Sequence, residues 1–278
     1  MAITGGIKFF KQSKALFVND GTAVASTNTE AAKNVLSSNK FIRWTSSGSD
    51  DTTTETITIT FPSATIDRVF LIDTNFKEFT IKYDVGGTPT DFTDVLGLDG
   101  SQSVIAETVY ARDTAYYEVD PVTTTKIYIT ATKSQVVDAE KSLERFYATE
   151  EIGTFQGYPL VTPETLNPNI NQQKVLSGNL NVQKRLETFE CGLKFKNYPP
   201  IQNDYDITLD IQRRTSSFLI WLCGGKFGTS FNMVRENWDL KNVYNVQAVG
   251  KLSPRWNNGI YLAGFSGSIK INQATEVI

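Results

Sequence analysis

The side chains that most often carry catalysis are scarce in this sequence. No histidine occurs in its 278 residues, and the only thiols are Cys191 and Cys223. Without an imidazole, neither the Ser-His-Asp nor the Cys-His nucleophile arrangement can be assembled, and every His-ligated metal site is excluded. Two thiols are too few for a four-thiolate metal centre. What remains is carboxylate chemistry. Glycoside hydrolysis needs only two carboxyl groups roughly 5–10 Å apart, and with 30 Asp and Glu such pairs arise by chance. Nothing in the sequence selects one of them. The chain is therefore expected to be no enzyme and to use no cofactor or metal, with a glycan-cleaving carboxylate pair as the reading held last.

Whether the first half is a sugar-binding surface or a scaffold turns on the stretch FIRWTSSGSDDTTTETITITF, 41–61. Trp44 precedes a run of small and polar residues, and then Ile57, Ile59 and Phe61 alternate with polar neighbours. The ring either lies against a ligand such as a sugar or plugs the end of a sheet. Its alternation with Phe41 suggests a strand end, where a large aromatic fills the core, and that reading is adopted. The acidic run after it has carboxylates for calcium but not the spacing of an EF-hand loop, so it reads as a solvated turn. Trp221, inside FLIWLC, is also assigned to a core. Arg255, Trp256 and Tyr261 combine an arginine with aromatics in a turn-like setting, which suits a subunit contact. Arg213 and Arg214 read as a solvated or ion-paired strand end.

The elements that must position these residues are short strands. ETITITF (55–61), RVFLI (68–72), EFTIKYD (78–84), ETVYARD (107–113), AYYEV (115–119) and KIYITAT (126–132) alternate with a period of two, and Gly- and Asp-rich turns separate them. Thr27 and Glu30 form a capping signature ahead of a short helix near 28–36. Val136, Ala139, Leu143 and Phe146 recur at helical spacing and favour a helix, with a long strand as the alternative. From Gly153 to Gln173, Pro159, Pro163 and Pro168 mark a stiff connector. Strands resume at 174–185, 188–196, 206–214, 218–223, 243–252 and 264–273. The expected fold class is all-β with one or two short helices: a β-sandwich over 1–152, a Pro-bearing connector over 153–173, and a second β-rich unit over 174–278.

Charge and hydropathy narrow the partners. The net charge of −3 is too small to argue for nucleic acid. It is split, with 14 Lys+Arg against 20 Asp+Glu in residues 1–150 and 13 against 10 in residues 151–278, an asymmetry that could steer contacts between copies. The longest apolar run, FLIWLC, is far short of the roughly 20 residues of a membrane helix. No apolar export segment opens the chain, so cytosolic synthesis with Cys191 and Cys223 reduced is expected.

Two resemblances follow from these stretches. The order of short helix, tryptophan before a polar loop, TITITF and ATIDRVFLIDTNFKEFTIKYD resembles the galactose-binding-like (discoidin-type) β-sandwich, over about 25–132. That family implies a fold whose end loops commonly bind carbohydrate, but no residue here matches a ligand motif. The stretches RRTSSFLIWLCGGKFG and ENWDLKNVYNVQAVGKLSPRWNNGIYLAGFSGSIKINQ resemble the C-terminal part of bacteriophage tail-tip and baseplate proteins of the distal tail type, over about 174–278. That resemblance implies a ring-forming structural protein of a virion tail, assembled in the host cytoplasm. Its partners would be copies of itself, other tail proteins and host surface carbohydrate, with no nucleic acid and no membrane insertion. The alternative is a stand-alone, lectin-like carbohydrate-binding protein.

Overall fold

The computed structural model describes residues 7–16, 19–37, 42–97, 100–157, 160–161, 165–167, 170–174, 180–184, 188–198, 201–221, 243–249, 255–256 and 265–273. The chain is mostly β-strand, with one short helix that tightens into a 3-10 turn and one twelve-residue helix. The first part contains β1 (Lys8–Lys11), β2 (Thr22–Ala25), α1 (Thr29–Ala32), β3 (Trp44–Thr45), β4 (Glu55–Thr74), β5 (Phe76–Val85) and β6 (Thr88–Asp91). It continues through β7 (Val95–Gly97), β8 (Gly100–Gln102), β9 (Ala106–Glu107), β10 (Thr114–Ser134) and β11 (Ser142–Thr149). The rest comprises β12 (Glu151–Thr154), β13 (Leu160–Val161), β14 (Thr165–Asn167), β15 (Ile170–Lys174), β16 (Leu180–Lys184) and β17 (Thr188–Tyr198). After these come α2 (Gln202–Arg213), β18 (Phe218–Trp221), β19 (Val243–Val249), β20 (Arg255–Trp256) and β21 (Phe265–Gln273).

Two long strands fold over on themselves to make the sandwich. ETITITF and RVFLI, expected as separate strands, are the two halves of β4, while AYYEV and KIYITAT are the two halves of β10. Their mutual pairing slips at Phe61–Ser63 and at Val119–Pro121. Pro62 and Pro121 sit at those slips, because a ring without an N–H is tolerated at a bulge rather than within a ladder. Beyond the bend, β4 returns to the level of its start. Glu55 lies opposite Ala131, while Asn75, just past the other end of β4, accepts the Gln135 N–H on its carbonyl at 2.8 Å. One layer contains β2, the first half of β4, the second half of β10, β5 and β6. The other contains β3, β11, the remaining halves of β4 and β10, and β7. Ile57, Ile59, Ile81, Ile127 and Ile129 from the first layer meet Val69, Leu71, Ala115, Tyr117 and Phe146 from the second.

Three sequence expectations are corrected here. Residues 142–149 form β11, a strand, because Leu143, Phe146 and Ala148 feed the sandwich core while Tyr147 is buried on another face. A strand buried on both faces loses its period of two. Residues 206–214, read as a strand, lie almost wholly in α2. Asp204, Ile207, Thr208 and Ile211 are its buried face at spacings of three, one and three, and Arg214 reaches back to Asp210 at 2.6 Å. Of ETVYARD, only Glu107 is in a strand, and Tyr110 turns inward to donate its hydroxyl to the Thr114 carbonyl at 2.7 Å.

The second sheet runs β12-β1-β18-β19-β21-β17-β13, with β14 on β17 and β20 on β21. The strand β1 lies within the stretch 1–152 assigned to the sandwich, yet it pairs with β12 on one side and β18 on the other. The sandwich is thus an insertion between two adjacent antiparallel strands of the second sheet. Parts of the expected connector are likewise strand, since β13 and β14 pair with β17 and β15 with β16. One face of this sheet, through Phe9, Phe218, Ile220 and Val246, packs under α2. Gly153 lets β12 pass close under the helix, where a Cβ would come within 2.6 Å of the Ile207 side chain and push it aside. The opposite face presents Phe10, Leu219, Trp221 and Val243 to Phe70, Ile72, Tyr116 and Tyr147 on the outside of the sandwich. Trp221 stands edge-on to Phe70, with ring centroids 6.0 Å apart, and 4.7 Å from Tyr116.

A polar belt surrounds this apolar seam. Lys8 of β1 reaches Glu118 of β10 at 3.2 Å, and Arg68 of β4 pairs with Glu151 of β12. Burial alone would raise Glu118, but Lys8 and Arg68 more than reverse this and hold its carboxyl below the usual range. Because Phe70 lies at the centre of the seam, Phe70→Ala should lower the unfolding free energy by about 3–5 kcal/mol in a denaturant titration. A loss below about 1 kcal/mol would mean that the two units do not share this core.

Candidate binding surface

The loops around Trp44 close one end of the sandwich. Trp44 is fully buried, its backbone pairs with Leu143, and its indole N–H donates to the Thr27 carbonyl at 3.1 Å. The ring is a plug. Its position between α1 and β11 leaves no face for a ligand. The polar run after it is a laced turn. Asp50 Oδ1 accepts from the Thr52 and Thr53 amides, Asp51 accepts the Ser134 amide at 3.0 Å, and the Gly48 amide donates to Glu140. These bonds hold both Asp50 and Asp51 below the ordinary carboxylate range, with the Thr52 hydroxyl the leading cause for Asp50 and the Ser134 amide for Asp51. Lys141 is buried, and its ammonium donates to the Asp50 carbonyl at 2.6 Å. A protein cation therefore already organises the loop weighed as a calcium site. Among the described residues no group of three or more His, Cys, Asp and Glu is arranged to hold a metal.

A carboxylate pair does exist near the seam. Asp73 adopts a left-handed backbone (φ 54°) at the end of β4 and hydrogen-bonds to Glu144 of β11. Arg43 lies 3.1 Å from Asp73 and 3.7 Å from Glu144, and Arg145 holds Glu144 at 3.0 Å. Arg145 also donates to the Val243 carbonyl of β19, across the seam. Two carboxyls in hydrogen-bond contact do not have the separation of roughly 5–10 Å that glycoside hydrolysis uses. Burial and the Asp73 carboxyl push Glu144 up to about 7.

The outer face of the first layer is different in character. Ile57, Ile59, Ile81, Ile127 and Ile129 point into the core, so their neighbours Thr58, Lys82 and Tyr128 point out. Cross-strand pairing sets Val24, Thr58, Tyr128, Lys82 and Asp91 in one row, with Thr56, Thr130 and Thr80 in the next. The Tyr128 hydroxyl donates to Asp84 at 2.7 Å, and the Lys126 ammonium lies 5.8 Å from the ring centroid. The hydrogen bond from Tyr128, with a second from the Gly87 amide, holds Asp84 below the usual carboxylate range. Lys82 pairs with Asp91 at 3.1 Å, and Lys133 with Glu78 at 3.1 Å. Sequence reading did not single out Tyr128; the signal available was its place as the aromatic at an out-facing position of KIYITAT.

The remaining sequence candidates are scattered. Trp221 is fully buried in the seam. Arg255 and Trp256 lie on β20, opposite Ser266 and Phe265; Tyr261 and Cys223 fall outside the described residues. Cys191 lies on β17, opposite Ile271. Among the described residues no helix is long and apolar enough to cross a membrane.

No protein-family model matches the chain, and no curated protein matches it. Among solved structures it is similar to chitosan-binding module 1 of a chitosanase/glucanase from Paenibacillus sp. IK-5, at 21% identity and a TM-score of 0.38, over 49% of this chain and 98% of that one. It is also similar to the family 32 carbohydrate-binding module of Clostridium perfringens NanJ, solved with galactose, at 15% identity and a TM-score of 0.38, over 52% and 99% of the two chains. A third is a putative alpha-L-fucosidase from Bacteroides thetaiotaomicron, at 11% identity and a TM-score of 0.39, over 50% of this chain and 29% of that one.

The Glu144 cluster makes stability depend on pH. A carboxyl raised from 4.5 to about 7 on folding binds its proton more tightly in the native state. Its contribution is complete below pH 4.5 and is lost as pH rises to about 7. The unfolding free energy should fall by on the order of 3 kcal/mol between pH 4.5 and 7.5, and Glu144→Gln should flatten that slope. Urea titrations at intervals across the range check it; equal slopes in the two proteins would contradict the assignment.

Proposed function

We propose that this protein acts by binding carbohydrate, not by catalysis, and that its second β unit serves as the mount for the binding sandwich. The observation that carries this reading is the manner of attachment. Both ends of the inserted sandwich enter adjacent strands, β1 and β12, and its outer face is sealed to the second sheet by Phe70, Tyr116 and Trp221. Two tethers and a shared core fix orientation. A fixed orientation benefits a protein that presents a surface, whereas a module that only concentrates a ligand works equally well on a loose linker.

The same attachment favours a second reading, in which the chain is a structural subunit of a bacteriophage tail tip or baseplate. There it would form a ring with copies of itself and other tail proteins. The ring would repeat the sandwich several times, and weak single-site binding of host surface glycan would gain by avidity of about 10²–10⁴. Arg255, Trp256 and Tyr261 remain the proposed subunit contact, and the virion tail the proposed location.

The full chain is the material for the test, because a fragment ending at 152 would retain β1 without its partner β18. It should be retained on an array of neutral oligosaccharides, and its mass in solution should be followed against concentration. Retention on glycan supports the first reading. Closed rings of defined mass add the second, whereas a monomer that binds glycan at every concentration removes it.

A further inference from the structure

Building on the carbohydrate reading, we infer that the glycan contact is the exposed sheet face centred on Tyr128, not the loop end of the sandwich. Sugar recognition requires an apolar ring for the pyranose C–H face and hydrogen-bonding groups beside it. Among the described aromatics of residues 20–150, Tyr128 is the one that faces outward from the sandwich without being covered by the second sheet, as Phe70, Tyr116 and Tyr147 are. Tyr83 turns toward the core and packs on Phe92, and Trp44, Tyr110, Tyr116, Tyr117 and Tyr147 are buried. Among the described residues the loop end offers no exposed ring.

The polar groups around Tyr128 are already arranged. Asp84 fixes the phenol by accepting its hydroxyl, and its carboxylate stays ionised and able to accept from a sugar hydroxyl. Lys82 and Asp91 lie one and two strands further on, paired with each other at 3.1 Å, and can offer a donor and an acceptor to neighbouring hydroxyls. Thr58 and Thr130 supply hydroxyls on the other side of the ring. Neighbouring strands are about 4.8 Å apart and same-face residues about 6.7 Å apart along a strand, a grid on the scale of a pyranose ring. Val24, 58% exposed, extends the apolar strip beyond Thr58.

Charge identifies the class of ligand. Lys82, Lys126 and Lys133 are balanced on this face by Asp84, Asp91 and Glu78, so neither an acidic nor a basic polymer is attracted. The occupant is a neutral glycan. A pyranose stacked on Tyr128 takes the place of the Lys126 ammonium, which lies 5.8 Å from the ring centroid and also attracts Asp84.

The test uses the full chain on a panel of neutral oligosaccharides (galactose-, glucose- and N-acetylhexosamine-based), with polygalacturonate as the acidic comparator. Tyr128→Ala should weaken binding at least tenfold, Tyr128→Phe less, and Thr52→Ala/Thr53→Ala at the loop end not at all. An unchanged urea midpoint in Tyr128→Ala shows that folding is intact. Binding retained by Tyr128→Ala but lost in the loop variant overturns the sheet-face site and leaves the carbohydrate reading standing. Tighter binding to polygalacturonate than to every neutral probe overturns the assignment of ligand class. Failure of the wild type to bind any probe overturns the carbohydrate reading and the site together.

Discussion

The contact between Trp221 and the Phe70–Tyr116 pair is the constraint from which the rest of the architecture follows. Phe70 and Tyr116 stand on the outer face of a sandwich layer, where water would normally lie, and both are almost fully buried. Their burial requires a second sheet pressed against the first, and Phe10, Leu219, Trp221 and Val243 supply it. The sheet that carries them must then be covered on its far side, because Phe9, Phe218 and Ile220 alternate with the seam residues and point the other way. Helix α2 provides that cover. The molecule is layered as α2, second sheet, seam, and two sandwich layers, with apolar side chains filling each interval.

The buried and half-buried ions at the rim fix alignment more than they add stability. Arg68, Glu118, Glu151 and Lys8 come from four strands of both units, and ions removed from water lose hydration that their mutual attraction only partly restores. What they do is exclude other registers: a slip of β1 against β12 would leave Lys8 or Glu151 buried without its counter-charge.

Much of this layering was legible in the sequence, and the places where it was not have one cause. Strands with one wet face, such as ETITITF, announce themselves by alternation. RVFLI and FLIW do not alternate because both of their faces are dry, which the sequence expresses only as a continuous apolar run. SLERFYAT carried a helical spacing by coincidence, since its residues serve two cores at once. In α2 the opposite happened: Asp204 occupies a core-facing position, where it accepts the Gln156 and Gly157 amides at 2.8 Å, and a buried aspartate masks the helical stripe. That β1 leaves its sequence neighbours for the second sheet could not be read locally, because strand partners 141 to 213 residues away leave no local pattern. The same holds for Tyr128: period two shows that it faces outward, but only the closure of the opposite layer against the second unit leaves its sheet as the open one.

The central claim is that a binding sandwich is held in one fixed orientation on its mount. The most direct measurement is the distance distribution between spin labels at Val109→Cys and Gln247→Cys, both exposed positions away from the Tyr128 face, in a chain with Cys191→Ser and Cys223→Ser. A sealed seam gives one narrow distance, unchanged by added glycan. A broad or bimodal distribution would show that the units swing on a hinge, and the account built on the Trp221 contact would be wrong.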